Sequence, residues 1–280
     1  MKIAISGATG FIGTHLTRYL SGQGHEVTGL GRKWFGRGNA DHLAKLMEGM
    51  DVVINLAGAP VNHRWTTAYK QELYDSRIIP TRMLVDAINR TVRVRLFISA
   101  SAVGYYPSRG CYDEYSHVKS DGFLAGLCRA WEAEAGLIRK SARLIITRFG
   151  VVLSPEGGAF LQLIRPLQSR LATVIGSGNQ PFTWIADLIG AMGFVIDQPG
   201  WSGVFNFVTP EQTTNAAFTA ALARRYHARL TVKLPTVFFR LFYGEGAVLL
   251  TEGQCVKPTR LLEKEFQFQA PTVEAFFKRI

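Results

Sequence analysis

The sequence lacks the features that mark most secreted and membrane-embedded proteins. Only three cysteines occur in 280 residues, Cys111, Cys128 and Cys255. A scattered, odd-numbered set of this kind suits a reducing compartment and predicts that no disulfide framework forms. No apolar stretch is long enough to span a bilayer, and the N-terminus does not have the pattern of a signal peptide. We therefore expect a cytoplasmic protein without membrane contact.

Charged residues are also few, at 19%, whereas hydrophobic residues make up 47% of the chain. This balance predicts a sizeable core and excludes wholesale disorder. The net charge of +11 comes from basic residues spread along the chain. Because no nucleic-acid motif accompanies them, we interpret them as a solvated surface that favours anionic small molecules. The six histidines occur singly, without ligand spacing, so no metal site is expected.

The order of apolar segments predicts an α/β fold. Short, nearly continuous apolar runs are typical of strands buried on both faces, and helical patterns lie between them. Strands separated by helices imply right-handed crossovers and a doubly wound parallel sheet. The predicted strands are 2–6, 26–30, 51–56, 95–99 and 144–148, and the predicted helices are 11–21, 40–48, 66–89 and 122–140.

Two regions follow from this pattern. Residues 1–155 are predicted to form a Rossmann-type domain, to which later segments return. Residues 156–280 are less regular and are predicted to form a smaller, substrate-binding α+β region. Within it, 205–208 has the pattern of a strand and 215–226 that of a helix.

A glycine-rich segment joins the first predicted strand to the first helix. Gly7, Gly10 and Gly13 have the spacing G-x-x-G-x-x-G, with Thr9 and then Phe11 and Ile12 between them. Such glycines allow a tight turn, close approach of a pyrophosphate and close packing of helix on strand. The helix N-terminus then offers its free N–H groups to the phosphates. The alternative is a glycine turn that binds nothing, which the strand–turn–helix context disfavours.

The end of the second predicted strand indicates which dinucleotide binds. An NAD site usually has Asp or Glu at this point, to accept hydrogen bonds from the adenine ribose. Here Gly31 is followed by Arg32 and Lys33. A guanidinium can pair with a 2′-phosphate that a carboxylate would repel. The cofactor is therefore predicted to be NADP(H), although the two cations could also be the solvated start of a loop.

The chain resembles a known superfamily in several segments. It is similar to the extended short-chain dehydrogenase/reductases, and more narrowly to atypical epimerase-family proteins described as nucleoside-diphosphate-sugar epimerases. The resemblance covers nearly the whole chain. It is carried by Gly7-Ala8-Thr9-Gly10-Phe11-Ile12-Gly13, Asn55-Leu56-Ala57-Gly58, Arg64-Trp65-Thr66, Ser101-Ala102-Val103-Gly104-Tyr105-Tyr106, Trp131-Glu132, Gly176-Ser177-Gly178 and Gly253-Gln254.

The resemblance implies a smaller C-terminal domain that closes over a cleft, and it assigns further cofactor contacts. Leu56 and Ala57 would line the adenosine side, Arg77 would reach the cofactor, and Val152 would lie near the nicotinamide. Arg77 could instead be an ordinary surface residue. The complete predicted set is Gly7, Thr9, Gly10, Phe11, Ile12, Gly13, Arg32, Lys33, Leu56, Ala57, Gly58, Arg77 and Val152.

The superfamily's chemistry needs a Ser or Thr that orients the substrate oxygen, a Tyr acid/base, and a Lys that lowers the pKa of that Tyr. Ser101 follows a predicted strand and is the candidate for the first role. Tyr115 and Lys119 have the spacing of the pair, but we expect them in the loop before a helix, where they would not share a face. The Tyr105 or Tyr106 hydroxyl could face the nicotinamide, although a tyrosine without a nearby cation keeps a pKa of about 10 and is a poor base. The alternative is that both rings pack in the cleft wall.

Two functions remain open. One is an NADP(H)-dependent oxidoreductase or epimerase that acts on a small molecule, such as a nucleotide sugar. The other is a non-catalytic or redox-sensing NADP(H)-binding protein, which the missing tyrosine–lysine pair favours. A homodimer formed through helices that flank the sheet would be in keeping with the superfamily.

Overall fold

The computed structural model describes residues 1–139, 141–176 and 178–280. Lys140, in the predicted fourth helix, and Ser177, in the Gly176-Ser177-Gly178 segment, lie outside these residues.

The strands are β1 (Lys2–Ser6), β2 (Glu26–Leu30), β3 (Val52–Asn55), β4 (Leu96–Ala102), β5 (Cys111–Tyr112), β6 (Arg143–Phe149), β7 (Val151–Ser154), β8 (Gly157–Gly158), β9 (Leu171–Ile175), β10 (Phe182–Trp184), β11 (Gly203–Phe207), β12 (Leu230–Leu234) and β13 (Cys255–Val256). The helices are α1 (Phe11–Gly22), α2 (Ala40–Met47), α3 (Thr67–Asn89), α4 (Phe123–Ala135), α5 (Ala159–Ile164), α6 (Ile185–Asp197), α7 (Asn215–Arg225), α8 (Thr236–Tyr243), α9 (Val248–Thr251), α10 (Thr259–Glu263) and α11 (Val273–Phe277).

Six parallel strands form the central sheet, in the order β2-β1-β3-β4-β6-β11. The predicted parallel α/β fold is confirmed, and all five predicted strands are present. The direction of winding reverses between β1 and β3. Ligands of doubly wound sheets bind outside the carboxyl ends of the strands at such a reversal. The ends of β1 and β3 therefore mark the expected ligand position.

Helices cover both faces of this sheet. On one face α1 and α6 pack through residues such as Leu16 and Met192, which are fully buried. On the other face α2, α3 and α4 contribute Leu43, Leu84 and Ala135 to a second buried cluster. Because both faces are covered, the strands are apolar along most of their length, which is why continuous runs rather than alternation mark them in the sequence.

The region after residue 155 is divided between the sheet and a smaller unit. As expected, later segments return to the sheet: β11 is its edge strand and α6 packs on it. The remainder has its own core, built largely from Phe160, Phe182, Phe218 and Phe276. The buried Asp187 of α6 connects the two parts, because its carboxylate accepts the N–H groups of the chain at residues 269 and 270, at 2.6 and 2.9 Å. The proposed domain boundary at residue 155 stays a prediction.

One expectation about the cysteines is wrong. Cys111 of β5 and Cys255 of β13 form a disulfide across 144 residues of sequence, and Cys128 is free and buried. The number of cysteines does not reveal which of them the fold brings together. Here the parallel pairing of β5 with β13 places Cys111 directly opposite Cys255.

Within the described ranges, no helix combines the length and apolar character needed to cross a membrane. The same residues contain no group of three or more His, Cys, Asp or Glu side chains that could hold a metal ion.

A buried hydroxyl joins the end of β3 to helices α3 and α4. The Thr81 Oγ1 accepts hydrogen bonds from the Asn55 side-chain amide at 2.7 Å and from the Trp131 indole at 2.9 Å. It donates its own hydrogen to the Arg77 carbonyl oxygen at 2.6 Å. Asn55 in turn accepts a hydrogen bond of 2.5 Å from Ser6 at the end of β1. These bonds fix the ends of β1 and β3 relative to the helices that cover them.

Replacing Thr81 by valine keeps the side-chain shape but leaves two buried donors unpaired. We expect Thr81→Val to lower the free energy of unfolding by about 2–6 kcal/mol, since each of the two unpaired donors costs roughly 1–3 kcal/mol. The measurement is urea unfolding followed by circular dichroism. The matched control is Thr17→Val, because the buried Thr17 hydroxyl has no partner among the described residues. Equal losses in both variants would show that the Thr81 network adds nothing.

Candidate functional site

The turn between β1 and α1 admits only glycine at two of its positions. Gly7 has φ +72°, and a Cβ atom there would lie 2.8 Å from the carbonyl oxygen of Leu56. A Cβ atom on Gly13 would lie 2.1 Å from the Gly7 carbonyl oxygen. The first constraint holds the turn against the end of β3, and the second holds α1 against the turn. The sequence predicted both roles for these glycines.

The first turn of α1 carries backbone donors and no side-chain cap. Gly10 precedes the helix, and its own N–H donates to the Gly7 carbonyl oxygen at 2.9 Å. The next N–H to bond within the helix is that of Thr14, to the Gly10 carbonyl oxygen at 2.9 Å. The N–H groups of Phe11, Ile12 and Gly13 precede it, so they point out of the helix end, where an anion is stabilised by the helix dipole. Thr9 and Gly10 are exposed beside them.

Phe11 also connects this turn to the smaller region. A Cβ atom on Gly157 would lie 2.9 Å from the Phe11 ring, and one on Gly158 would lie 3.2 Å from it. Val152 is half-buried in β7. Its carbonyl oxygen would lie 3.4 Å from a Cβ atom placed on Gly158. The predicted contacts Phe11 and Val152 therefore flank one glycine pair, and their contact with a nicotinamide stays a prediction.

The two predicted cations lie at the carboxyl end of β2. Arg32 and Lys33 begin a short 3-10 turn, Arg32–Phe35, and both are exposed. The turn is held by a bond of 2.6 Å from the Asn39 side-chain amide to the Lys33 carbonyl oxygen. Neither cation takes part in an ion pair with the described residues. Their charges therefore face solvent next to the expected position of the adenine ribose.

Arg77 lies beneath the segment that follows β3. Its guanidinium donates to the carbonyl oxygens of Ala59 and Leu73, both at 3.0 Å. A Cβ atom on Gly58 would come within 3.0 Å of the Arg77 Cζ atom, so glycine is what permits this approach. Burial lowers the pKa of the guanidinium. Arg77 thus supports the segment that contains Leu56, Ala57 and Gly58, and its contact with a cofactor stays a prediction.

The predicted position of Ser101 beyond the end of its strand is wrong. β4 continues to Ala102, which places Ser101 inside the strand, where it is 2% exposed. Strand pairing continues because β6 also extends to Phe149 and pairs with β4 as far as Ala102. The Ser101 hydroxyl donates to the Glu132 carboxylate at 2.6 Å. Its catalytic role is a prediction that the structure leaves untested.

Ser101 belongs to a row of polar residues that crosses three strands. Arg148 of β6 lies opposite Ser101 of β4 on one side and opposite Asn206 of β11 on the other. The Arg148 guanidinium makes a bidentate ion pair with Glu132 of α4, with N–O distances of 2.8 and 2.7 Å. Both side chains are nearly buried, at 5% and 11% exposure. The pair therefore lies in an environment with little solvent screening.

The aromatic pair Tyr105 and Tyr106 after β4 packs on this row, which is the second of the two interpretations that the sequence left open. The Tyr106 hydroxyl accepts a hydrogen bond of 2.7 Å from Arg148 and lies 3.0 Å from the Asn206 amide oxygen. Burial raises the pKa of Tyr106 to about 12, so it stays protonated near neutral pH. The Arg148 guanidinium carbon lies 3.4 Å from the centre of the Tyr105 ring. Arg148 thus holds both rings in place.

The literal Tyr–Lys spacing does not form a catalytic pair. α4 begins at Phe123, so Tyr115 and Lys119 lie in the irregular segment before it, as predicted. Gly122 precedes the helix with φ +95° and no side-chain cap. Tyr115 is 54% exposed, and its hydroxyl donates to Glu263 at 2.5 Å. The two side chains therefore do not share a helix face.

A cleft of about 500 Å³ opens beyond the end of β4. One part of its wall is formed by Gly104, Tyr106 and Ser108, and another by the first residues of α4. Residues 244–254 of the smaller region complete it, with Trp65 below. The volume is within the range of small-molecule sites.

No role in the site was predicted from the sequence for Glu132, Arg148 or Asn206, although Glu132 is one of the residues that carry the family resemblance. The signal was available for Arg148, because a charged residue at the end of a buried strand needs a partner of opposite charge. Its partner could not be identified from the sequence, since Glu132 lies on a helix whose rotation depends on tertiary packing.

The profile of the NAD dependent epimerase/dehydratase family matches residues 3–207. This chain belongs to that family. Residues 234–280 match a second profile, a domain of unknown function named DUF1731. The resemblance to this superfamily, inferred from the sequence motifs, is thereby confirmed.

Similar proteins extend over the full chain. The mouse epimerase family protein SDR39U1 is 36% identical and covers 100% of this chain and 99% of its own length. A relative from Mycobacterium bovis, epimerase family protein Mb2239, is 37% identical over 97% of this chain and 94% of its own.

Two solved structures are similar as well. The human SDR39U1 protein, crystallised with NADPH, superposes with a TM-score of 0.92 at 33% identity, covering 100% of this chain and 99% of its own. A nucleoside-diphosphate sugar epimerase from Corynebacterium glutamicum has a TM-score of 0.76 at 27% identity. It covers 99% of this chain, which matches 57% of that protein.

Removing Arg148 leaves the Glu132 carboxylate buried without a counter-charge. We expect Arg148→Met to lower the free energy of unfolding by about 3–5 kcal/mol, the usual cost of breaking a buried pair from one side. The matched control is Arg90→Met, because Arg90 and Asp41 form a pair in which the side chains are 54% and 87% exposed. That control is expected to lose less than about 1 kcal/mol. Similar losses in the two variants, measured by urea unfolding, would contradict a special role for the buried pair.

Proposed function

We propose that this protein is an NADP(H)-dependent oxidoreductase of the epimerase type, which exchanges a hydride with a hydroxyl- or carbonyl-bearing small molecule. The glycine turn from Gly7 to Gly13 carries the proposal. It lies where the sheet reverses its winding, and it directs backbone N–H groups outward from the end of α1. A pyrophosphate would bind to these groups and to the positive end of the helix. The human relative crystallised with NADPH supports the same cofactor for this chain.

Arg32 and Lys33 would bind the 2′-phosphate that distinguishes NADP(H) from NAD(H). They follow β2 directly and are exposed, without a carboxylate partner among the described residues. A charge-assisted hydrogen bond to a phosphate contributes about 1.5–3 kcal/mol. Leu56, Ala57 and Gly58 would lie along the adenosine side, supported from below by Arg77.

The substrate would occupy the cleft that begins at Gly104 and Tyr106. Nucleotide sugars are the first class to test, since a family member of 27% identity is described as a nucleoside-diphosphate sugar epimerase. Ser101 is our candidate for polarising the substrate oxygen. Because its hydroxyl now donates to Glu132 at 2.6 Å, a substrate oxygen would have to replace that acceptor.

Isothermal titration of cofactor-free protein with NADPH and NADH tests the binding site. We expect NADPH to bind more tightly, and Arg32→Ala to weaken NADPH binding by roughly 10- to 100-fold, the loss of one charge-assisted contact. NADH binding should change little. The control is Arg90→Ala, because Arg90 follows α3 at the amino edge of the sheet, away from the turn. Equal affinity for the two dinucleotides would refute the role of Arg32, and binding of neither would refute the cofactor site.

A second function is favoured by the state of the candidate hydroxyls. Ser101 is bonded to Glu132, Tyr106 to Arg148, and Tyr115 to Glu263. A protein that binds NADP(H) without catalysing hydride transfer would have no need to keep these hydroxyls free of bonds to other protein groups.

Turnover of nucleotide sugars and simple carbonyl compounds with bound NADP(H) separates the two functions. Net reduction is followed by the absorbance of the reduced nicotinamide, and epimerisation, which leaves that absorbance unchanged, by NMR of the sugar. If Ser101 polarises the substrate, Ser101→Ala should reduce kcat by about 100-fold or more, while the Kd for NADPH measured by titration stays within about twofold. Full activity in this variant would remove Ser101 from the mechanism. Absence of turnover with every compound, together with tight NADPH binding, would favour the non-catalytic function.

A further inference from the structure

The disulfide lies between two short strands that carry few other bonds. β5 and β13 are each two residues long and pair in parallel, with Cys111 opposite Cys255 and Tyr112 opposite Val256. One further backbone bond, from the Lys257 N–H to the Tyr112 carbonyl oxygen at 2.8 Å, extends the pairing. A ladder of this length contributes little on its own. The covalent bond is therefore the strongest connection between the two strands themselves. Further along the chain, Asp113, Glu114 and Tyr115 bond to Thr259, Arg260 and Glu263.

Both segments belong to the wall of the cleft. Ser108 lies three residues before Cys111, and Gln254 lies directly before Cys255; both line the cleft. The disulfide thus joins the loop that follows β4 to the segment that the smaller region contributes. Any change in this bond acts on two parts of the same wall.

The two sulfur-bearing residues differ in accessibility. Cys111 is exposed, whereas Cys255 is 2% exposed. Thiol–disulfide exchange requires that a thiolate reach one of the two sulfur atoms. An incoming thiolate would therefore attack Cys111, and Cys255 would leave.

The surroundings of Cys255 also accommodate the reduced state. The Cys255 sulfur lies 3.2 Å from the Gln212 Oε1 atom. In the disulfide this sulfur has no hydrogen to donate, whereas a free thiol has one. The Gln212 amide nitrogen is fixed by donating to the Val256 carbonyl oxygen at 2.9 Å, which directs Oε1 toward Cys255. A hydrogen-bond acceptor is thus already in place for the thiol.

We propose that Cys111 and Cys255 form a reversible thiol–disulfide exchange site that controls the mobility of the cleft wall. The substrate is a dithiol reductant. Its first thiolate bonds to the Cys111 sulfur and breaks the Cys111–Cys255 bond, and Cys255 leaves as a thiolate that takes up a proton. The second thiol of the reductant, as a thiolate, then displaces Cys111. The protein gains two electrons and two protons, and the reductant becomes a disulfide.

Reduction would release the loop rather than the C-terminal segment. A Cβ atom on Gly178 would lie 2.5 Å from the Gly253 backbone nitrogen, and one on Gly176 would lie 2.2 Å from the Thr251 carbonyl oxygen. These close backbone contacts hold the segment before Cys255 without help from the disulfide. The loop at 107–112 meets the smaller region through its pairing with β13 and through Tyr112, which packs on the cluster that contains Val256. It would become the mobile part of the wall.

Thiol titration and hydrogen exchange test the proposal in the purified full-length chain, without cofactor. Denatured protein that has not met a reductant should show one free thiol, from Cys128, and three after treatment with dithiothreitol. Exchange of the backbone amides at 108–112, and of the Lys257 amide that donates to the Tyr112 carbonyl oxygen, should become at least about tenfold faster on reduction, and oxidised glutathione should restore the slow rate. Cys111→Ser should exchange quickly with or without dithiothreitol, and it keeps the buried Cys255 and its acceptor intact. Cys128→Ala is the matched control and should respond to dithiothreitol as the unmodified chain does.

Three free thiols in protein treated with oxidised glutathione would overturn the proposal, as would equal exchange rates in the oxidised and reduced forms. Exchange that does not return to the slow rate on reoxidation would exclude a reversible site. None of these measurements involves a dinucleotide, so failure here leaves the proposed NADP(H) site untouched, and failure of NADPH binding leaves the thiol site untouched.

Discussion

The Thr81 hydroxyl satisfies three buried polar groups at the point where the sheet reverses its winding. It accepts from Asn55 and Trp131 and donates to the Arg77 carbonyl oxygen. Asn55 can then accept from Ser6, so the ends of β1 and β3 are fixed to each other and to α3. The glycine turn depends on that alignment, because Gly7 comes within contact distance of the Leu56 carbonyl only while the two strand ends stay level. A dinucleotide site made of backbone atoms needs such support, since it has no long side chains that could adjust.

The polar layer continues across the sheet as the row formed by Ser101, Arg148 and Asn206. Burying the Arg148 guanidinium costs desolvation free energy. A bidentate ion pair with Glu132 and a hydrogen bond to the Tyr106 hydroxyl offset this cost. A buried charge that lost any one partner would be costly, which fixes the rotamers of the whole group. Tyr105 and Tyr106 are held at the mouth of the cleft by the same guanidinium. The stability of the sheet and the shape of the cleft therefore have a common origin in this ion pair.

The part of the molecule that local chemistry determines could be predicted. Continuous apolar runs gave the strands, and the spacing of Gly7, Gly10 and Gly13 gave the turn, because each depends on neighbouring residues. Ser101 shows where that reasoning ends. Its strand continued past the predicted end because pairing with β6 continued, and its partner Glu132 came from a helix 31 residues away in sequence. Cys111 and Cys255 are a stronger case, since they are 144 positions apart and the intervening sequence gives no indication that β5 and β13 meet.

Membership in the epimerase/dehydratase family determines the fold of the chain, but it does not determine which reaction the chain catalyses. In this chain two of the hydroxyls near the end of β4 are already bonded to charged protein groups. Ser101 is bonded to a carboxylate, and Tyr106 to a guanidinium that keeps its ring in the core. If Ser101 polarises the substrate, a substrate oxygen must displace Glu132 from its hydroxyl; otherwise another group must supply the acid or base. The first route couples binding to a rearrangement of the buried ion pair, because Glu132 could give up Ser101 only while Arg148 still neutralised it. The bidentate geometry meets that condition, since Arg148 contacts both oxygens of the carboxylate.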